Sequence, residues 1–239
     1  MNSLSQLHEC GVRDVGVSLR ERLTERIADG ALELPLLPEV ASEVIALTGA
    51  DSSDARRLAN VIRRDQAMAA HVLRIANSPA QMPRSPIVSL QQALSRLGIS
   101  QIRQIALTVS CKQRVFRVAG FEAEVHRTFR HSFMTALFAQ EIARVRRWNV
   151  EEAFLSGLLH DVGRPILLQA IVDMEKGKRA IDREAVQVVL TELHTKVGSA
   201  FAHKWALPGP VAEAIGFHHD PTEAPAFPQI ARVTSLADD

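Results

Sequence analysis

The sequence predicts an all-α fold. Apolar residues recur at three-and-four spacing over most of the chain, glycines and prolines interrupt that pattern where helices should end, and no segment alternates like a half-buried strand. Residues 1–16 show no sustained period, whereas Val17–Asp29 read as a helix closed by Gly30. Leu34–Pro38 (LeuProLeuLeuPro) cannot be helical throughout, because proline fixes φ and removes an amide donor. Leu90, Ala93, Leu94 and Leu97 then mark one helix face, with Ser89 placed to cap it and Gly98 to end it. Ile102, Ile105, Ala106 and Val109 mark the next, with Ser100 able to cap it. Val186, Val189, Leu190, Leu193 and Val197 form a third stripe, on a helix that Asp182 could cap. The proline-rich stretches 80–87 and 220–228 are expected to be loops.

A chain of 239 residues suits one compact unit or two closely packed helical lobes. Gly120 interrupts two helical patterns, so three segments are expected: 1–33, an extension with one helix; 34–118, an N-terminal helical lobe; and 119–239, a second helical lobe. With 46% hydrophobic and 23% charged residues, the chain has the composition of a folded globular protein. A formal charge of +1 provides no footprint for a large polyanion, which argues against nucleic acid as a partner. Arg144, Arg146 and Arg147 beside Trp148 could engage phosphate and base, but such a run is more often a solvated helix face.

Cys10 and Cys111 are too few and too far apart for a disulfide framework or a CysxxCys metal site, which points to a reducing compartment. The N-terminus lacks the basic start and apolar stretch of a secretory signal, and nowhere do about 18 apolar residues run together. A cytoplasmic protein without a membrane partner is expected.

The chemistry concentrates in the second half. Residues 36–118 hold one histidine, His71, while seven of the nine lie in 121–239. GlyLeuLeuHisAspValGlyArg (157–164) places His160 and Asp161 after an apolar run that should be interior. A buried imidazole and carboxylate are costly unless they pair or coordinate a cation. Imidazole with carboxylate suits a divalent ion such as Fe, Mn or Zn, but the doublet alone supplies too few ligands. His131, His194, His218, His219 and Asp238 are the further candidates, Asp238 only if the helix Gln229–Ala237 docks firmly. His8, His71, His126 and His203 read as ordinary exposed or hydrogen-bonded histidines. The chain ends inside this apparent helix, LeuAlaAspAsp, as a segment cut from a longer protein would.

This ordered set resembles the HD superfamily of metal-dependent phosphohydrolases over roughly Phe121–Asp239. The resemblance implies a metal site from His131, His160, Asp161 and Asp238, extended by His194, His218 and His219 to a second ion, with Fe, Mn, Zn, Mg or Ni as the metal. Such a site polarises a phosphoryl oxygen and activates water for phosphoester hydrolysis. The catalytic candidates are then His160, Asp161 and Arg164, the last standing where many HD enzymes carry a lysine near substrate phosphate and able to bind phosphate bidentately.

The N-terminal half separates the relatives. LeuProLeuLeuProGluVal (34–40), IleArgArgAspGlnAlaMetAlaAlaHisValLeuArgIleAlaAsnSer (62–78) and SerLeuGlnGlnAlaLeuSerArgLeuGly (89–98) look like the first half of the HDOD family. HisLysTrpAlaLeuPro (203–208) and the His218–His219 pair extend that likeness. Gln66 departs from it, standing where the family commonly has proline, and Asn77 and Ser78 read as caps rather than ligands. The HD-GYP phosphodiesterases of cyclic di-GMP are disfavoured, since AspProThrGluAlaPro follows His219 and the chain has no tyrosine.

The HDOD resemblance implies a helical N-terminal lobe packed on an HD-like helical bundle. It further implies a bacterial signal-transduction output or interaction module whose partners would be signalling proteins such as diguanylate cyclases or response regulators. Whether catalysis accompanies that role is left open by the residues, with hydrolysis of a nucleotide or phosphodiester as the alternative function.

Overall fold

A computed structural model describes residues 19–36, 38–49, 55–83, 85–175 and 182–239, and among these there is helix and no strand. His8, Cys10 and the start of the first expected helix lie outside the described residues. The chain divides into two compact units. Leu36–Arg114 forms one, and Val115–Asp239 with the segment ending at Pro35 forms the other.

In the first unit, α2 (Glu39–Gly49), α3 (Ala55–Arg63) and α4 (Gln66–Ala76) precede the long α5 (Leu90–Arg114). Asp65 caps α4, its carboxylate accepting the Met68 N–H at 3.0 Å, so Gln66 begins the helix without the help of a proline. Gly98 stands at φ +77°, ψ 165° inside α5 and breaks it into two helical stretches, a conformation open to glycine and expensive for other residues. Leu90, Ala93, Leu94, Leu97, Ile102, Ile105, Ala106 and Val109 all turn into one core with Val44, Ile62, Met68 and Val72. Cys111, at the same helix's end, is a free buried thiol whose pKa burial pushes up to about 12, which makes it unreactive.

A 3-10 turn, Pro79–Gln81, overlaps the start of the expected loop 80–87, and a second, Pro221–Glu223, lies within the expected loop 220–228. Proline leads each turn because its fixed φ suits a first helical position. Asn77 ties the extended segment after the first turn to α4. Its Nδ2 donates to the Leu73 and Ile87 carbonyls at 2.9 and 2.8 Å, and its Oδ1 accepts the Ile87 N–H at 2.8 Å.

The second unit holds α1 (19–28), α6 (Glu122–Arg146), α7 (Val150–Leu159), α8 (Gly163–Met174), α9 (Arg183–Lys204), α10 (Gly209–Phe217) and α11 (Pro228–Asp238). Gly30 (φ +64°) follows α1, whose Arg22 bonds Glu175 at 2.6 Å. Lys204 Nζ and Trp205 Nε1 donate to the Leu34 and Pro35 carbonyls at 3.0 and 2.9 Å, so the non-helical Leu34–Pro35 segment is held by the end of α9. Asp182 caps α9 as expected, accepting from the Glu184 and Ala185 amides. Asn149 does the same for α7 through Glu151 and Glu152. Among the described residues no helix is long and apolar enough to cross a membrane.

Three glycines set how closely these helices approach. A Cβ on Gly157 would lie 2.6 Å from Ala136 Cα, one on Gly163 2.0 Å from the His194 carbonyl oxygen, and one on Gly198 2.6 Å from Ile215 Cγ2. The first two meet backbone, which cannot rotate aside. Gly163→Ala should therefore cost about 3 kcal/mol or more in urea denaturation, above ordinary overpacking. Gly209→Ala, whose Cβ would meet only the Phe227 ring at 3.1 Å, should cost under about 1 kcal/mol. Removing the Asn77 clasp (Asn77→Ala) should cost about 1–2 kcal/mol by the same measurement, since three partly solvated bonds are lost.

Candidate metal centre

Five helices bring the candidate residues together. Apolar packing fixes α7, in which every residue from Ala153 to Leu159 is buried, and His160 follows at its C-terminal end with Asp161 next. His131 comes from α6, His194 from α9, His218 and His219 from the end of α10, and Asp238 from the last residue of α11. His160, Asp161, His194 and His218 are buried, His131 and His219 exposed, and Asp238 intermediate.

Asp238 Oδ1 lies 2.6 Å from His131 Nε2 and 3.1 Å from His160 Nε2. Asp161 sits between two sets of imidazoles, its Oδ2 3.7 Å from His160 Nε2 and its Oδ1 3.5 Å from His194 Nε2. His194 Nε2 is in turn 3.4 Å from His218 Nε2 and 3.1 Å from His219 Nε2. Three overlapping groups have ligand atoms close enough to share an ion: His131, His160 and Asp238; His160, Asp161 and His218; His194, His218 and His219. All seven ligand candidates are included. Arg164 Nε donates to Asp161 Oδ1 at 2.8 Å. His71 lies in the other unit.

The orientation of the three buried rings follows from local backbone. His160 Nδ1 donates to the Gly157 carbonyl at 2.8 Å, His194 Nδ1 to the Leu190 and Thr191 carbonyls at 2.9 and 3.0 Å, and His218 Nδ1 to the Ile215 carbonyl at 3.1 Å. A carbonyl only accepts, so each Nδ1 carries the proton and each Nε2 is left as the ligand atom facing the cluster. Sequence reading identified these histidines without this feature, because it depends on where the preceding helical turn places its carbonyls. Gly157 and Gly163 were read only as parts of the GlyLeuLeuHisAspValGlyArg motif, and Gly198 carried no signal in the sequence.

Charge is unevenly distributed. Burial opposes protonation of His160, but the Asp238 and Asp161 carboxylates beside it outweigh burial and hold its pKa above the usual imidazole value. Burial likewise opposes ionisation of Asp161, which His160, Arg164 and His194 reverse, holding the carboxyl below its usual range. Burial lowers the His194 pKa and, with His160, His219 and His194 adding to it, takes His218 down to about 3. Against the effect of burial, the His131 and His160 imidazoles hold Asp238 well below the ordinary carboxylate range.

The donor set fits a divalent cation. His160 Nε2 is buried, and among the described residues no group is aligned to hydrogen-bond it. His194 and His218, both favoured neutral and both protonated at Nδ1, direct bare Nε2 lone pairs at each other across 3.4 Å. Such a contact is repulsive until a cation lies between the rings. Imidazole nitrogen with two carboxylates suits Mn, Fe, Zn or Ni better than Mg, which prefers oxygen and water.

Comparison with known proteins places the chain among relatives of this architecture. It superposes on a candidate metal-dependent phosphohydrolase from Shewanella amazonensis SB2B with a TM-score of 0.74 and 25% identity, covering 92% of this chain and 82% of that one. It also matches an HDOD domain protein of unknown function from Geobacter sulfurreducens, with a TM-score of 0.68, 23% identity, and 94% and 77% of the two chains covered. A candidate signal transduction protein from Marinobacter aquaeolei VT8 shares the fold with a TM-score of 0.66 and 21% identity, over 93% of this chain and 54% of that one. An uncharacterised protein of Treponema pallidum (strain Nichols) is 23% identical over 213 residues; the match covers 85% of this chain and 41% of that protein's length. The HDOD domain pattern matches residues 34–221, most of the chain, and with the helical fold just described this protein belongs to the HDOD domain family.

Proposed function

We propose that this protein is a metal-loaded signal-transduction output module of the HDOD type, which acts through contacts with other signalling proteins. The observation that carries the metal part is the set of buried imidazoles whose Nδ1 atoms are committed to backbone carbonyls, which turns the His160 Nε2 toward the Asp161 and Asp238 carboxylates and leaves a lone-pair clash between His194 and His218. His131, His160, Asp161 and Asp238 would hold one cation, and His194, His218 and His219 a second. Because the ligands come from several helices, one cation would staple α6, α7 and α11 together and the other α9 and α10, and the binding free energy of each would add to folding stability. The signalling part rests on family membership and on the likeness to HDOD and signal-transduction proteins.

Phosphoester hydrolysis is the second reading, favoured by Arg164 and by the likeness to a candidate metal-dependent phosphohydrolase. A divalent ion at the cluster would supply Lewis acidity toward a phosphoryl oxygen. In this chain Arg164 is bonded to Asp161 and its side chain retains 24% of its exposure, so the guanidinium positions the carboxylate while part of it faces solvent.

Chelator-free protein should carry about one or two equivalents of a transition metal by elemental analysis. Asp161→Asn and His160→Ala should each lose most of it. Adding EDTA should lower the melting temperature of wild type, with about 3 kcal/mol of stability lost if the ion is present at a hundred times its dissociation constant. Metal-loaded protein should show no turnover of nucleotides or phosphodiesters above background. Rapid turnover abolished by Asp161→Asn would establish the hydrolase reading instead, and metal-free wild type under these conditions would remove the metal from both.

A further inference from the structure

Helix α6 places its apolar residues on the unexpected side. The face packed against α7 and α11 is built from small side chains, including Ser132, Thr135, Ala136, Ala139 and Ala143, all buried. Several large ones point outward: Met134, Leu137, Phe138 and Val145 are 45%, 37%, 55% and 82% exposed, and Trp148 just beyond the helix is 39% exposed, whereas Val125 is buried and Phe133 packs edge-on against Phe154. At 100° per residue, Met134, Leu137, Phe138 and Val145 fall within about 100° of arc, one face about 20 Å long including Trp148 and interrupted by Glu141. Scattered exposed apolar residues need no explanation, but several large ones gathered on one face of a helix are the pattern of a contact surface.

The flanking charge narrows what that surface fits. Arg127 and Arg130 lie at one end, and Arg144 and Arg147 at the other, all exposed. Arg144 pairs with Glu141, the one acidic residue on the stripe. Among the described residues no carboxylate pairs with Arg127, Arg130 or Arg147, and the surface is net basic around an apolar centre. A second copy is disfavoured, because a two-fold pairing of α6 with itself brings arginine ends against arginine ends or alongside one another. A helix with its own apolar stripe and acidic flanks satisfies both the stripe and the arginines.

We propose that the outward face of α6 docks an acidic amphipathic helix of a partner protein. This rests on the reading of the chain as an interaction module and names its contact surface. The probe is an 18-residue synthetic helix with leucines at heptad positions and glutamates on both flanks. It is compared with a version carrying lysines in place of the glutamates and with a scrambled peptide of the same composition.

Binding to the full chain is followed by Trp148 emission, with Trp148→Phe identifying the signal because the other tryptophan, Trp205, is buried. The acidic helix should bind and shift the emission to the blue, while the lysine and scrambled peptides bind at least about tenfold more weakly. Phe138→Glu should weaken binding about tenfold or more without changing the melting curve, and the double variant Arg127→Glu, Arg130→Glu should weaken it while raising affinity for the lysine peptide.

Equal binding of all three peptides, binding by none, or insensitivity to Phe138→Glu would overturn the proposal. So would a wild-type dimer in sedimentation that Phe138→Glu dissociates, or Phe138-dependent binding to vesicles containing a quarter phosphatidylglycerol. The metal content of the same samples separates the two readings: a protein that holds its cation yet binds no peptide fails here alone.

Discussion

Three imidazoles are buried with their Nδ1 protons already committed, and the second unit is organised around that constraint. Each histidine sits one turn after the carbonyl that accepts its proton: Gly157 before His160, Leu190 before His194, Ile215 before His218. That i to i+3 or i+4 geometry belongs to helical backbone, so the helices aim the Nε2 atoms before any long-range contact forms. The glycines do the remainder. With a side chain at 163, α8 could not lie against the backbone of α9 at His194, and Asp161 would move away from the imidazole now 3.5 Å from it. Close backbone approach and ligand convergence are therefore one feature of the packing.

Much of this was legible in the chain because helix ends and stripes are local. Asp182 caps α9, Gly98 and Gly30 take positive φ, and the Leu90–Val109 stripes enter a core, all as period and residue type dictate. The HisAsp doublet in an apolar frame likewise implied a partner by desolvation alone. Three-dimensional placement was less legible. Period locates the apolar residues of α6 without saying that alanines would face inward and Met134, Leu137 and Phe138 outward; neighbouring helices decide that by how near they come. Nor could spacing show that Asp238, at the end of α11, would be held by two imidazoles.

Electrostatics explains why the exposed end of the cluster is ordered. Asp238 is the last helical residue, a position that normally frays, yet its carboxylate meets His131 at 2.6 Å and His160 at 3.1 Å. Asp161 is held ionised by cationic Arg164 and the imidazoles around it, although burial favours its neutral form. Two carboxylates are thus kept charged beside the same buried His160 Nε2, at 3.1 and 3.7 Å. Negative charge held in place against desolvation is the electrostatic counterpart of a cation, whether a proton or a metal supplies it.

Helix α6 connects this interior chemistry to the surface. His131, at one edge of the cluster, keeps 45% of its side-chain exposure, and Met134, the first residue of the outward stripe, stands three residues further along the same helix. Residues three apart on a helix are neighbours, so a partner seated on the stripe as proposed would lie beside the exposed edge of His131. Cation binding through His131 would fix α6 against α7 and α11, and docking on the opposite side of α6 would press on the same alanine-packed interface.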